Sequence, residues 1–252
     1  MIKTLKDIKI LGLAATAGAL LMAAPISSAH AESAFTPEQQ AEIETLVKKY
    51  ISENPDLILQ SVKQYQEDQE RKMMQSAQDN LKEYQEFFAD KTLPMAGNPD
   101  GDVTVVEFFD FNCGYCKKAF EDVQKLVDED SNLRVVFMDM PILSPSSQKM
   151  SEIALAAHKQ GKYFEMHTAL MDYRGSQSES AFLKLAEDLG LDMEKLKADM
   201  KSAEVQTTIT KTKQIAQALG IRGTPGFVVG AQLYPGYVGL EALRNAVKDS
   251  RS

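Results

Sequence analysis

The chain of 252 residues contains only two cysteines, Cys113 and Cys116, and their spacing is the strongest chemical signal in the sequence. An apolar, β-branched run over 103–109 predicts a strand just before them, and a helix is predicted from about 113 to 128. The first turn of a helix has unpaired N–H groups and a partial positive charge, so a thiolate there has a pKa below the free value of about 8.5. We therefore expect Cys113 to be the reactive thiolate, and Cys116, about one turn further in, to attack it.

Three other roles for the cysteine pair are weaker. A structural disulfide that closes so short a loop adds little stability. A zinc site needs about four ligands, and His158 and His167 are too far apart in sequence for the usual ligand pattern. Two thiolates can also hold a cuprous ion, and a copper-binding or surface protein stays as the alternative to an enzyme. The sequence predicts a redox-active pair with no cofactor and no resident metal.

Two neighbours of the cysteines are further candidates. Glu107 lies inside the predicted strand, where a carboxylate is costly if buried, yet strand alternation also allows it to face solvent. Tyr115 stands between the cysteines, where it either contacts substrate and tunes the thiolate or is an exposed turn residue. Both alternatives stay open at this point.

Composition excludes several classes of protein. Apolar residues make up 44% and charged residues 25% of the chain, as in soluble globular proteins. The net charge is -8, which argues against a nucleic-acid partner because phosphate contacts need clustered cations. Two cysteines cannot form a disulfide-dense small domain.

The N-terminus has the pattern of an export signal. Lysines within the first nine residues precede an uncharged run over 10–24, and Ala29-His30-Ala31 is a small-x-small cleavage pattern. A transmembrane anchor would need about 20 apolar residues. We predict a signal peptide over 1–31 and export to an oxidising compartment, the periplasm.

Residues 32–91 are predicted to form a helical segment. The sequence around Thr36 predicts a helix start, followed by the amphipathic stripe Ile43, Leu46, Val47, Tyr50 and Ile51. A second helix is expected from about 56 to 90. We predict a homo-oligomer through residues 36–91, with a helix lying along its own domain or a solvated spacer as the alternatives.

Residues 92–252 are predicted to form an α/β catalytic domain that starts with a linker over 92–101. A second strand over 133–140 implies a parallel crossover, and a helical insert is expected over about 146–220. Within it, Ser176 and Glu179 read as a capping box. A hairpin over 227–234 and a closing helix over 239–248 complete the domain.

The strand with Cys-Gly-Tyr-Cys at its end, together with the downstream Gly223-Thr224-Pro225, resembles the DsbA/DsbC-type periplasmic thiol:disulfide oxidoreductases. The resemblance covers about residues 102–252 and implies a thioredoxin fold with an inserted helical subdomain. The N-terminal helices resemble those of the suppressor-of-copper-sensitivity C-like proteins, which combine an oligomerisation segment with such a domain.

The resemblance also implies residue roles. Cys113, Cys116 and Glu107 would be catalytic, with Glu107 as a buried acid that relays the proton of the inner thiol. Thr224 and Pro225 would form a cis peptide facing the cysteines and bind substrate, with Tyr115 beside them.

The implied function is formation or isomerisation of disulfide bonds in exported proteins. The N-terminal helices favour an isomerase, and the inserted helices favour the alternative, a DsbA-like dithiol oxidase. The expected partners are unfolded or misfolded exported proteins with cysteines, and a membrane redox partner.

Overall fold

A computed structural model of the protein describes residues 35–251, so the predicted signal peptide lies outside the described residues. The chain divides into two units, residues 1–60 and 61–252. Within residues 35–251, no helix combines the length and hydropathy that crossing a bilayer requires.

The described part of the first unit is helical. Helix α1 (Pro37–Glu53) begins after Thr36, whose hydroxyl accepts a hydrogen bond from the Gln39 backbone N–H, and the Gln39 side chain accepts one from the Thr36 N–H. This confirms the predicted helix start. None of the α1 residues is buried, so its apolar stripe is exposed. Helix α2 (Pro55–Phe88) begins in this unit and ends in the second.

The second unit alternates strands and helices. Their bounds are β1 (Met95–Gly97), β2 (Val103–Phe109), α3 (Gly114–Glu129), β3 (Leu133–Asp139), α4 (Pro145–His158), α5 (Tyr163–Asp172), α6 (Glu179–Asp188), α7 (Met193–Met200), α8 (Ala203–Ala218), β4 (Gly226–Val229), β5 (Gln232–Tyr234) and α9 (Leu240–Asp249).

The strands form one sheet in the order β1-β3-β2-β4-β5. Strands β2 and β3 are parallel, with Val103 opposite Leu133, and β4 and β5 pair as the predicted hairpin. Strand β4 lies antiparallel to β2 and places Phe227 opposite Glu107. Helices α4 to α8 lie in sequence between β3 and β4, so the predicted α/β fold with a helical insert is confirmed.

Each face of the sheet packs against its own core. On one face, the ends of α2 and α8 form a core with Val106 and Phe108 of β2, to which α2 contributes Leu81 and Phe88. On the other face, α3, α9 and the inserted helices form a core that includes Val105 of β2. The end of α2 is thus part of the core of the second unit.

Two local predictions were wrong. The linker over 92–101 contains β1, which pairs with β3 through Met95 and Val136. Three residues are too few to show strand alternation, and the pairing comes from a neighbour distant in sequence. The cap of α6 is Ser178, whose hydroxyl accepts from the Ala181 N–H, whereas Ser176 lies two residues before this cap.

Candidate active site

Cys113 is the N-cap residue of α3. Its backbone is extended, and its Sγ accepts a hydrogen bond from the Cys116 backbone N–H at 3.3 Å. Strand β2 ends at Phe109, so the sheet delivers the Cys-x-x-Cys to a helix start as the sequence predicts. Cys113 is 7% exposed and Cys116 is fully buried, which makes Cys113 the outer sulfur.

A buried aspartate fixes the turn that carries Cys113. The Asp110 carbonyl accepts the Cys113 N–H at 3.0 Å, and one of its carboxylate oxygens accepts the Asn112 N–H at 2.8 Å. The other carboxylate oxygen accepts the N–H groups of Ile142 and Leu143 at 2.8 and 3.0 Å. Asp110 therefore joins the cysteine turn to the loop after β3.

Asn112 adds a second connection between the same two segments. Its Nδ2 lies 2.9 Å from the hydroxyl oxygens of Ser144, Ser146 and Ser147. Sequence reasoning missed both residues. The available signal was the Asp-Phe-Asn run before Cys113, since Asp and Asn side chains commonly bond to nearby backbone in turns.

The Thr224–Pro225 segment lies against Cys113. The bond between the two residues is cis, as the resemblance implies. The Cys113 thiol donates a hydrogen bond to the Thr224 carbonyl oxygen, with an Sγ···O distance of 3.2 Å. The structure thus brings Thr224 to the outer sulfur, although the two residues are far apart in sequence.

The two thiols have very different acidities. The pKa of Cys113 is lowered to about 6, chiefly by a hydrogen bond from the Cys116 side chain and less by the Thr224 side chain and the backbone N–H groups of Cys116 and Tyr115, while burial opposes the shift. Burial raises the pKa of Cys116 far above its usual value, as do its hydrogen bond to Cys113 and the nearby Glu107. The lowering at Cys113 agrees with the sequence-based expectation, but the neighbouring thiol contributes more than the helix N–H groups.

Glu107 is fully buried, which decides between the two placements left open by the sequence. Neither carboxylate oxygen has a hydrogen-bond partner among the described residues. Its pKa is raised to about 8, chiefly by burial and to a smaller extent by the charge of Cys113. A carboxyl with a pKa near neutrality can take up and release a proton under physiological conditions.

Tyr115 stands between Cys113 and Cys116 in the sequence, and its side chain is 65% exposed. Its ring centroid lies 6.0 Å from that of Tyr237, and the Lys118 ammonium lies 4.9 Å above the Tyr237 ring. The Tyr237 hydroxyl donates to Asp122 at 2.6 Å. Tyr115 therefore extends an aromatic surface beside the cysteines.

Lys117 is a further polar residue beside the cysteines. Its half-buried ammonium donates to the carbonyl oxygens of Met171 and Tyr173 at 2.9 and 3.2 Å. Burial is the main cause that lowers its pKa. Lys117, which directly follows Cys116, thus connects α3 to the end of α5.

His167 and the Tyr163–Asp139 pair are buried polar groups on the face of the sheet that α3 covers. His167 is fully buried among aromatic rings, including Phe109 and Phe137, and burial lowers its pKa to about 3. The Tyr163 hydroxyl donates to Asp139 at 2.6 Å, and burial raises the pKa of Asp139 to about 7.

Comparison with known proteins gives a family match and a curated relative. The profile of the family described as DSBA-like thioredoxin domain matches residues 104–248, more than half of the chain. Over 153 residues the chain is 33% identical to the Na(+)/H(+) antiporter NhaA 1 of Salinispora arenicola. This matched stretch covers 60% of this chain and 24% of that protein. The chain therefore spans about a quarter of the length of the curated relatives it matches first.

Solved structures show the same fold. A thioredoxin-like oxidoreductase from Silicibacter pomeroyi is 48% identical, with a TM-score of 0.63 over 65% of this chain and 95% of that chain. A periplasmic thioredoxin-like protein from Salmonella enterica is 26% identical, with a TM-score of 0.58 over 65% and 92%. Proteus mirabilis ScsC, at 23% identity, has a TM-score of 0.62 over 86% and 98%, a likeness in fold alone. The expected thioredoxin-like fold is thus confirmed.

Proposed function

The chain belongs to the DSBA-like thioredoxin domain family, and on that premise we propose that it is a thiol:disulfide oxidoreductase that reshuffles disulfide bonds in exported proteins. One observation carries the proposal. An outer thiol with a pKa of about 6 stands at the start of α3, directly against a buried thiol whose pKa is raised.

The acidity of Cys113 suits it to begin and end the exchange. With a pKa of about 6 it is mostly thiolate at pH 7, and the thiolate is the nucleophile. It attacks one sulfur of a substrate disulfide, forms a mixed disulfide and releases the other substrate sulfur as a thiolate. A substrate thiolate then attacks the substrate sulfur of the mixed disulfide, and Cys113 leaves as a thiolate. A low pKa favours that departure as well.

Cys116 releases the substrate from Cys113 when no substrate thiolate resolves the mixed disulfide. Its thiol must lose a proton before it attacks Cys113, and Glu107 is the proposed acceptor. The charge of Cys113 raises the pKa of Glu107, and that charge is absent while Cys113 is bonded to substrate. The pKa of Glu107 is therefore lower in the mixed disulfide than beside the free Cys113 thiolate, which favours its carboxylate at the step in which Cys116 reacts.

Thr224 and Pro225 are the proposed substrate-binding residues, with Tyr115 beside them. A neutral Cys113 donates a hydrogen bond to the Thr224 carbonyl, and a thiolate has no proton to donate. Ionisation therefore leaves that carbonyl available to a backbone N–H of an extended substrate segment, which would add as a strand.

The direction of the reaction is part of the proposal. The exposed apolar residues of α1 and of the start of α2, including Leu46, Tyr50 and Leu59, support a homo-oligomer through residues 36–91. An oligomer would enclose the cysteines of its subunits around a shared space and keep them from a membrane oxidase. We therefore favour an isomerase that a membrane partner keeps reduced, over a dithiol oxidase.

The proposed compartment is the periplasm. The sequence of residues 1–31 has the order of a cleavable signal peptide. The similar Salmonella enterica protein is described as periplasmic. An oxidising compartment is also where exported substrates form their disulfides.

Two measurements test this function. The exported protein should reactivate scrambled ribonuclease faster than it oxidises reduced ribonuclease, and trapping its thiols in cells should find Cys113 and Cys116 reduced. A dithiol oxidase would give the opposite ratio and an oxidised pair. Loss of both activities, with one cuprous ion bound per chain, would contradict the proposal and favour a copper-binding protein.

A further inference from the structure

The second unit has a surface groove whose lining includes Arg222, two residues before Thr224. It has a volume of about 650 Å³ and runs between α2, the end of α8 and the loop after β3. None of the steps above uses it. Its position, its apolar wall and its charge each point to a ligand.

The wall of the groove is apolar. Met73 of α2 is 46% exposed and Ile142 of the loop after β3 is 42% exposed. Met140 and Ile221 line the groove beneath them and are nearly buried. Covering such side chains stabilises a complex because it removes apolar surface from water.

The rim of the groove is positively charged. Lys72, Lys213 and Arg222 line it, and no aspartate or glutamate does. Across residues 35–251, none of these three side chains forms an ion pair with a carboxylate. The chain as a whole has 36 acidic and 28 basic residues. A cationic rim on an acidic protein is a complementary surface for an anionic partner.

Both walls of the groove are joined to Cys113. Arg222 precedes Thr224 by two residues, so their Cα atoms are at most about 7.6 Å apart, and the Thr224 carbonyl lies 3.2 Å from the Cys113 sulfur. On the other wall, the Ile142 N–H bonds to the Asp110 carboxylate, and the Asp110 carbonyl accepts the Cys113 N–H. A polypeptide bonded to Cys113 therefore has its neighbouring residues within reach of the groove.

We propose that this groove binds the stretch of a substrate polypeptide that flanks its exchanging cysteine, and that it selects stretches with apolar and acidic side chains. This inference rests on the proposed function and names the substrate class of the same site. Apolar side chains lie against Met73 and Ile142, and carboxylates lie near Lys72, Lys213 and Arg222.

Binding of cysteine-free peptides tests the groove separately from the chemistry. Two fluorescein-labelled peptides share a Leu/Met core with serine at the cysteine position, and differ in flanking Asp/Glu or Lys residues. By anisotropy at low salt, the acidic peptide should bind about fivefold more tightly, as expected for two exposed ion pairs. The preference should decline as salt is added.

A charge-reversed variant locates the preference. Lys72→Glu/Lys213→Glu should remove or invert it, because two of the three cations of the rim become anions. Lys195→Glu on α7 is the control, since it reverses an exposed lysine that does not line the groove. It should leave the peptide preference unchanged.

The outcomes separate this inference from the proposed function. Exchange with 2-hydroxyethyl disulfide, which is uncharged, measures the cysteines alone and should be the same in the wild type and the charge-reversed variant. Equal binding of the two peptides, or a preference that the charge-reversed variant retains, would overturn the groove assignment whether or not exchange occurs. A change of oligomeric mass in that variant would also overturn it, because a second copy would then cover the groove.

Discussion

Helices α1 and α3 are amphipathic and capped at their N-termini, yet their environments are opposite. Helix α3 buries Cys116, Phe120 and Val123 among others, and its N-cap residue is Cys113. Helix α1 buries none of its residues, and Leu46 and Tyr50 are 68% and 58% exposed. An apolar stripe therefore predicts a helix in both regions, but it does not identify what the stripe packs against.

This contrast suggests separate roles, with the cysteine chemistry in the α3 region and assembly in the α1 region. The α3 region is complete by itself, since its sulfur, its buried acid and its supporting loop all belong to the second unit. The α1 region has a surface that needs a partner, which we propose to be another copy of the chain. Substitutions in one region should therefore leave the property of the other intact.

The largest expected effect comes from the sulfurs of α3. Cys113→Ser should abolish all thiol–disulfide exchange because a hydroxyl is not nucleophilic at neutral pH. Cys116→Ser should instead accumulate mixed disulfides on non-reducing gels, since the attack that releases substrate is lost. Both variants should keep the wild-type mass in sedimentation. A Cys116→Ser protein that stays free of mixed disulfides would count against the assigned roles.

The second effect is on assembly. Leu46→Glu/Tyr50→Glu should shift the protein to monomers, because carboxylates in a buried interface are strongly disfavoured. Thr45→Glu/Ser52→Glu adds the same two charges to α1 outside the apolar stripe and serves as the control. Glutathione exchange should be unchanged in both, whereas ribonuclease reactivation should fall only in the first. Wild-type protein that sediments as a monomer would refute the proposed interface.

A third, smaller effect concerns the proton of Cys116. Glu107→Gln should slow release of substrate from the mixed disulfide by roughly 100-fold or more, because a positioned acid or base usually contributes about 10²–10⁴-fold. Stopped-flow measurement on a trapped mixed disulfide would give the rate. A rate equal to that of the wild type would remove Glu107 from the proton transfer.

The same variant has a pH signature in stability. The folded pKa of Glu107 is about 8, above an unfolded value of about 4.3, so the unfolded chain loses this proton first as pH rises. Wild-type stability should therefore fall relative to Glu107→Gln between about pH 4.3 and 8, by on the order of a few kcal/mol. Urea unfolding of both proteins across this range measures the difference, and parallel curves would contradict the buried, raised acid.

The smallest effect compares two neighbouring lysines of α3. Lys117→Met should cost about 1–2 kcal/mol of unfolding free energy, because it leaves the carbonyls of Met171 and Tyr173 without their donor. Lys118→Met should cost less than about 0.5 kcal/mol because that side chain is exposed. Equal losses in chemical denaturation would show that the contact of Lys117 with α5 adds no stability.

The sequence predicted the parts of the fold that depend on neighbouring residues. Cys113 at a helix start, the β4–β5 hairpin and the Thr36 cap all follow from short-range patterns. The misses depend on contacts between distant segments. Strand β1 exists because β3 pairs with it, and no local pattern in its three residues shows that.

The same limit applies to the site. The position of Cys113 was predictable, but its main acidifying contact is the side chain of Cys116, which depends on the folded turn. The connection from Asp110 to Ile142 joins segments 32 residues apart. The burial of His167 results from the packing of several elements, so its sequence neighbours do not reveal it.

The hydrogen bond from the Cys116 N–H to the Cys113 sulfur links the redox state to the protection of one backbone amide. A sulfur in a disulfide is neutral and a weak acceptor, so oxidation weakens this N-terminal cap of α3. Deuterium should enter the Cys116 amide faster in the oxidised protein than in the reduced one. The exchange rate of this one amide at the N-terminus of α3 would then distinguish the oxidised protein from the reduced protein.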